Sequence, residues 1–259
     1  MEYIGVTLVF LFGTIIGSFL NVVIFRYNTN FSLGGRSFCL YCGKELKWYE
    51  LIPLFSFLAL KGRCLTCKSR LSVQYPLVEF FTGTLFLLSF IYTRDYMWGN
   101  FFYFLAYLFI VVSIMVVIFV YDLRHKIIPD GFVFVFIALS LVRPIAFPYL
   151  GENILWALLA GPLLALPFAF LFFVSSGRWM GFGDAKLALG MGWFLGIWRG
   201  GIAILFSFWI GAIISIILLF LSSKQFTMKS EIPFAPFLII GMAIATFVPL
   251  PYLLTILGF

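Results

Sequence analysis

Four cysteines and a few acids are the residues of this chain whose types and spacing could do chemistry. The cysteines Cys39, Cys42, Cys64 and Cys67 read CLYC and CLTC, with 21 residues between the pairs. Two C-x-x-C knuckles at that separation fit a tetrahedral, all-cysteine zinc site. Four protein ligands leave no open position, so the metal is expected to be structural. A redox dithiol pair and free thiols are the alternatives. Gly43 and Lys68 follow the two pairs and suit the tight turns, and Lys68 and Arg70 would offset thiolate charge. His125, the single histidine, is not needed to complete the site.

Among the ten acids, Glu79, Asp122, Asp130 and Asp184 fall at the ends or inside of apolar segments. Ionisable groups at membrane depth are functional candidates by default. Asp130 follows Pro129 at the start of a segment, where a first-turn acid is stabilising. Asp122 ends a segment, where the helix dipole disfavours an acid. Asp184 sits in G-x-G-D, where Gly181 and Gly183 permit unusual backbone angles and close approach. Two aspartates from different spans, facing one another, can perform aspartic-protease chemistry. One carboxylate activates a water, while the other, protonated, donates to the carbonyl oxygen of the scissile peptide. From the residues alone, an ion- or metal-coupled transporter with a zinc-binding module stands as an equal alternative.

An apolar frame has to position these groups. Hydrophobic residues make up 63% of the chain and charged residues 10%, with a mean hydropathy of +1.12. A soluble domain of this length needs far more charge, so the expected class is an all-α polytopic membrane protein. Apolar runs cover residues 4–25, 76–92, 101–121, 131–148, 154–174, 187–198, 202–221 and 233–254, about eight transmembrane helices. The sixth is short and glycine-rich. The first has an acidic rather than basic start and reads as a retained helix, not a cleaved signal.

With alternating sides, loops 26–75, 122–130, 175–186 and 222–232 hold 14 of the 17 Lys and Arg residues, and the other side keeps Arg94, Arg143 and Arg199. Positive residues mark the cytoplasmic side. Both termini are therefore expected outside, with the cysteine loop, Asp122, Asp130 and Asp184 on the cytoplasmic side. A reducing compartment there disfavours disulfides. A transporter would place its acids near the midplane, with paired broken helices or inverted repeats; these acids cluster at one edge and no repeat is evident. No solvated basic face accompanies the net charge of +7, so lipid rather than nucleic acid is the expected contact.

The expected organisation is a first transmembrane helix (1–25), a cytoplasmic four-cysteine zinc insert (26–75) and a transmembrane core (76–259). Within the insert, residues 48–60 read WYELIPLFSFLAL, too short to span comfortably and carrying Pro53. They are expected to pack the module onto the membrane surface or the bundle; a substrate-binding wall is the other reading. Gly13 and Gly17 suit close helix packing, and Asn21 a hydrogen bond across helices. His125 and Lys126 read as positive-side anchors. Lys186 either lowers the pKa of Asp184 or snorkels to the headgroups.

Taken together, GSFLNVVIFR (17–26), the paired knuckles followed by YPLVE (75–79), DLRHKIIPD (122–130) and GFGDAK (181–186) resemble the type IV prepilin peptidases. These bacterial prepilin leader peptidase/N-methyltransferases are intramembrane aspartic proteases of the G-x-G-D type. The resemblance runs over nearly the whole chain in the family's order. It implies that Asp122 and Asp184 are the catalytic pair, with Asp130 at a motif position without a catalytic assignment. It implies cleavage of the short basic leader of prepilins and pseudopilins at the cytoplasmic face of the bacterial cytoplasmic membrane, after a Gly and usually before a Phe. It further implies N-methylation of the new N-terminus with S-adenosylmethionine, the four-cysteine insert being typical of bifunctional members. Where the family often carries a second acid two residues after the first aspartate, this chain has Arg124. No glycine-rich strand–helix fingerprint marks a nucleotide cofactor site.

Overall fold

The computed structural model describes residues 2–29, 31–96, 101–147, 153–221 and 232–256. Lys224 and Lys229, counted in the charge pattern, lie outside the described residues. Secondary structure among the described residues is helical, apart from two isolated bridge pairs in the cysteine insert. The chain divides into two compact units, Met1–Val117 and Ile118–Phe259.

In the first unit, α1 (Glu2–Arg26) and α3 (Gln74–Tyr96) flank an insert that holds a 3-10 turn, Trp48–Leu51, and the short α2, Phe55–Ala59. The unit also takes in most of α4 (Phe101–His125). Small residues let α1 and α3 touch backbone to backbone. A Cβ added at Gly13 would stand 2.8 Å from the Cα of Gly83, and one at Gly17 2.8 Å from the Cα of Glu79. In lipid, where apolar burial drives little helix association, such close van der Waals packing is a main source of adhesion. Asn21 continues the seam: its amide donates to the Tyr75 carbonyl at 3.2 Å and its Oδ1 accepts from Gln74 at 3.3 Å. The expected interhelical roles of Gly13, Gly17 and Asn21 are what the fold uses.

The second unit begins with the last turns of α4. It continues through α5 (Asp130–Ala146), α6 (Ile154–Ser175), α7 (Phe182–Leu221), α8 (Ala235–Phe247) and α9 (Leu250–Ile256). Lys126 (φ 54°) closes α4, its N–H bonding the Asp122 carbonyl at 2.8 Å, and Pro129 sets the entry to α5. The two segments expected at 187–198 and 202–221 both lie in α7, and the chain stays helical through 199–201. The break falls at Gly196, whose φ of 77° and ψ of 175° are open to glycine and strained for other residues. A Cβ on Gly200 would lie only 3.8 Å from the Cα of Gly192, whereas residues eight apart along a straight helix stand about 12 Å apart. The chain therefore folds back on itself at Gly196, and α7 is a helical hairpin.

Glycines also seat the neighbours of this hairpin. Gly190 abuts Phe136 of α5, Gly192 the Ala160 carbonyl of α6, and Gly241 of α8 the Ala203 carbonyl of the second arm. Five helices are long and apolar enough to cross a membrane among the described residues: α1, α3, α4, α6 and α7. The expected spans at 131–148 and 233–254 become α5 and the α8–α9 pair, each helix shorter than that length. The chain is a polytopic, all-helical membrane protein.

Candidate active site and metal centre

Asp122 and Asp184 come together in the second unit. Asp122 lies in the last turn of α4 and Asp184 in the first turn of α7, and both are buried. They stand close enough to interact charge on charge, and no cation pairs with either among the described residues. The carboxylate of Asp184 lies over Gly181, 3.8 Å from where a Cβ on that glycine would be.

Two expectations about these acids change. Gly181 and Gly183 do not take left-handed angles; what Gly183 provides is close approach. A Cβ there would meet the Ile128 side chain at 3.0 Å, tight enough to push on the loop between α4 and α5. Asp184 also does not precede its helix. Its N–H already bonds the Gly181 carbonyl at 3.3 Å inside the first turn, where the dipole favours an acid.

Asp122, which sits at the unfavourable end of its own helix, gets help from another. The backbone N–H of Ala235, at the N-terminus of α8, lies near its carboxylate. Free N–H groups at a helix start are natural carboxylate partners. Sequence reasoning missed Ala235, although Pro233 and Pro236 around it are a helix-start signal.

Asp130 opens α5 as expected, with no side-chain cap bond. Lys186 has a partner that neither expectation named. Its Nζ is 2.7 Å from Asp130 Oδ1 and sits over the rings of Phe134 at 5.0 Å and Phe182 at 5.6 Å. His125 bonds back to the Tyr121 carbonyl through Nδ1 at 3.1 Å.

The cysteines form a second cluster, in the first unit. Each knuckle is closed by the same pair of backbone bonds: Cys39 N–H to Lys44 O and Gly43 N–H to Cys39 O, then Cys64 N–H to Ser69 O and Lys68 N–H to Cys64 O. Gly43 (φ 69°) and Lys68 (φ 58°) occupy equivalent left-handed positions. All four Sγ atoms lie within 4.8 Å of one another, with Cys39 and Cys67 at 3.8 Å. That is far too long for a disulfide. It is close to the ~3.8 Å edge of a tetrahedron with metal–sulfur bonds of about 2.3 Å. The thiols also divide their protons unevenly. Hydrogen bonds from Ser69 bring Cys67 down to about 6. At Cys42 the Lys44 amide pulls downward, but burial and the Cys39 and Cys67 thiols outweigh it and raise the group to about 11. Four thiols at this spacing are a donor set that fits a bound metal.

The insert is braced from within and from α3. Glu50 is buried and ion-paired to Lys44 at 3.1 Å, and its Oε2 accepts the Lys47 N–H at 2.9 Å. The Lys47 amide, opposed by burial and aided by Lys44, lowers its pKa. Glu79 of α3 accepts the Leu54 N–H at 2.8 Å, holding the start of α2. Because Glu50 is depressed when folded, its contribution is present above the ordinary carboxylate range and lost as pH falls through it. Glu50→Gln is therefore expected to speed loss of a metal held by the cysteines to a chelator at neutral pH. The gap to the unmodified chain should close under acid; a gap that widens there would contradict the assignment.

Comparison with known proteins places both clusters in recognised segments. Residues 11–93, which hold the cysteines, match the family model described as Bacterial Peptidase A24 N-terminal domain. Residues 109–216, which hold both aspartates, match the model described as Type IV leader peptidase family. Curated relatives named prepilin leader peptidase/N-methyltransferase are similar over most of the chain. The Myxococcus xanthus protein is 36% identical, covering 83% of this chain and 63% of its own length. The Aeromonas salmonicida protein is 32% identical, covering 95% and 91%, and the Bacillus subtilis protein 30% identical, covering 92% of each. No solved structure matches.

Proposed function

The chain belongs to the prepilin leader peptidase/N-methyltransferase family, and from that premise we propose that it is a membrane aspartic endopeptidase whose dyad is Asp122 and Asp184. The observation that carries this reading is that two buried carboxylates from different helices come close enough for their charges to interact, inside the segment matching the leader-peptidase model. Like charges at close range favour a pair that shares one proton. The ionised member takes a proton from water as that water attacks the scissile carbonyl carbon. The protonated member donates to the carbonyl oxygen; the tetrahedral intermediate then collapses as the proton taken from water passes to the leaving amine nitrogen and the hydroxyl proton returns to the second aspartate, re-forming a carbonyl.

The substrates are prepilins and pseudopilins, cut after a Gly that ends the basic leader. The charge pattern supports a site at the cytoplasmic face with both termini outside. About eight crossings are consistent with this, the α7 hairpin contributing two, its first arm of about 21 Å being short for a bilayer core of about 30 Å. Residues 1–25, 26–75 and 76–259 serve as first helix, insert and core.

Cys39, Cys42, Cys64 and Cys67 hold a structural zinc, which cross-links the two knuckles and leaves no ligand position for chemistry. Trp48, Phe55 and Leu58 are exposed, which supports contact between the insert and the membrane surface. The relatives' name supports N-methylation of the new N-terminus, with S-adenosylmethionine as donor. The described residues offer no strand–glycine–helix cradle for a nucleotide cofactor.

The test is mass spectrometry of a prepilin incubated with the purified chain in lipid. A shortened product carrying an added methyl on its first residue is the expected result. An intact prepilin would sink the peptidase, and an unmethylated product would leave a peptidase alone.

A further inference from the structure

We propose that the second half of the first aspartate motif, Ile128 to Asp130, is a clamp that positions the other aspartate, Asp184, with Lys186 as its receiving residue. The inference rests on the dyad reading above and extends it to residues outside the dyad. Asp184 lies between two contacts made by one short segment. On one side, the Ile128 side chain lies against Gly183 so closely that a Cβ there would meet it at 3.0 Å. On the other, Asp130 Oδ1 meets Lys186 Nζ at 2.7 Å, and that ammonium is boxed by Phe134 from α5 and Phe182 from α7. The residue before Asp184 and the residue two after it are both held by the turn that follows Asp122.

The geometry gives the spacing of the motif a reason. Asp122 lies in the last turn of α4, which ends at His125; four residues, 126–129, turn the chain, and Asp130 opens α5. The stretch that carries one carboxylate thus also grips the first turn of the helix that carries the other. A displacement of about 1 Å in a reacting group can cost about a hundredfold in rate, so a joint of this kind has leverage on turnover. It has little on stability, because Asp130 is largely exposed and exposed ion pairs contribute little to folding. Lys186 also has aromatic faces that an ordinary headgroup-seeking lysine would not need. Asp130 and Lys186 are thus positioning residues, and the contrast between turnover and stability is what separates them from structural ones.

The experiment measures kcat and KM for prepilin cleavage by the full chain in nanodiscs. It compares Asp130→Asn, Lys186→Met, their combination, Asp130→Glu and the swap Asp130→Lys with Lys186→Asp. Each neutralising change is expected to lower kcat about tenfold, with KM within about twofold and Tm unchanged. The combination should be no worse than either alone, as for two halves of one contact. Asp130→Glu should recover most of the rate, and the swap part of it. Hydrogen exchange at the amides of 183–186, read on the same samples, should quicken in the neutralised variants. Wild-type kcat in both single variants, losses that multiply in the combination, or unchanged exchange would overturn the clamp. Exchange needs no turnover, so if the unmodified chain fails to cleave prepilin, the peptidase reading falls while the clamp is still decided.

Discussion

Asp122→Asn and Asp184→Asn are each expected to lower prepilin cleavage by about 10³-fold, within the range removed with a general acid or base. Asparagine keeps the shape of the side chain but neither takes a proton from water nor gives one to a carbonyl. Both carboxylates are buried, and the substitution replaces two facing acids with one acid and one amide. That change relieves repulsion as well as removing chemistry, so stability should hold or rise while turnover collapses. The double variant should be no slower than either single one, because residues acting as a unit do not lose rate additively. Methylation of a supplied prepilin should vanish in step, since no new N-terminus is released. Rates come from a gel-shift or mass-spectrometric time course, with helicity and Tm as folding controls. Full cleavage by either variant rules out the dyad.

Much of this site was legible in the sequence because local rules write it there. Apolar runs, end-of-helix acids and knuckle spacing depend on neighbours a few residues away, and Asp122, Asp184 and the four cysteines could be singled out on that basis. What stayed hidden depends on long-range packing. The Ala235 N–H reaches Asp122 from a helix far along the chain. Lys186 finds Asp130 only because the loop after α4 lies along the start of α7. The fold-back of α7 turns on one angle at Gly196, among many glycines of similar local appearance. At Gly181 and Gly183 the expected reason was different from the observed one. A glycine signals either freedom of φ or nearness of a neighbour, and composition cannot say which; at Gly183 the neighbour is Ile128.

Cys39→Ser and Cys64→Ser, finally, are each expected to take bound zinc from one ion per chain to less than about a tenth of that. Structural zinc sites bind with an apparent ~10–16 kcal/mol near pH 7, and that binding is part of the folding free energy. A serine hydroxyl is a far poorer zinc ligand than a thiolate. Cys39 and Cys64 are the buried members of the two pairs, while Cys42 and Cys67 are exposed, so each substitution strikes one knuckle where water is least able to substitute. What else holds the insert is polar and mostly near the surface: two bridge pairs, the Lys44–Glu50 and Arg36–Glu45 pairs, the Arg26 bonds to the Ser32, Gly34 and Arg36 carbonyls, and the Glu79–Leu54 bond. Loss of metal should therefore appear as faster amide exchange at Cys39, Gly43, Cys64 and Lys68, whose N–H groups close the knuckles. The α1–α3 seam, held by Gly13, Gly17 and Asn21, should keep its protection. Elemental analysis of the purified chain reads the metal directly, and unchanged zinc in both variants would rule out the four-cysteine centre. A chelator applied to the unmodified chain should reproduce the same exchange pattern, with acid hastening release as the thiolates take up protons. If exchange quickens in the serine variants but not on chelation, the cysteines hold the insert by packing rather than through a metal.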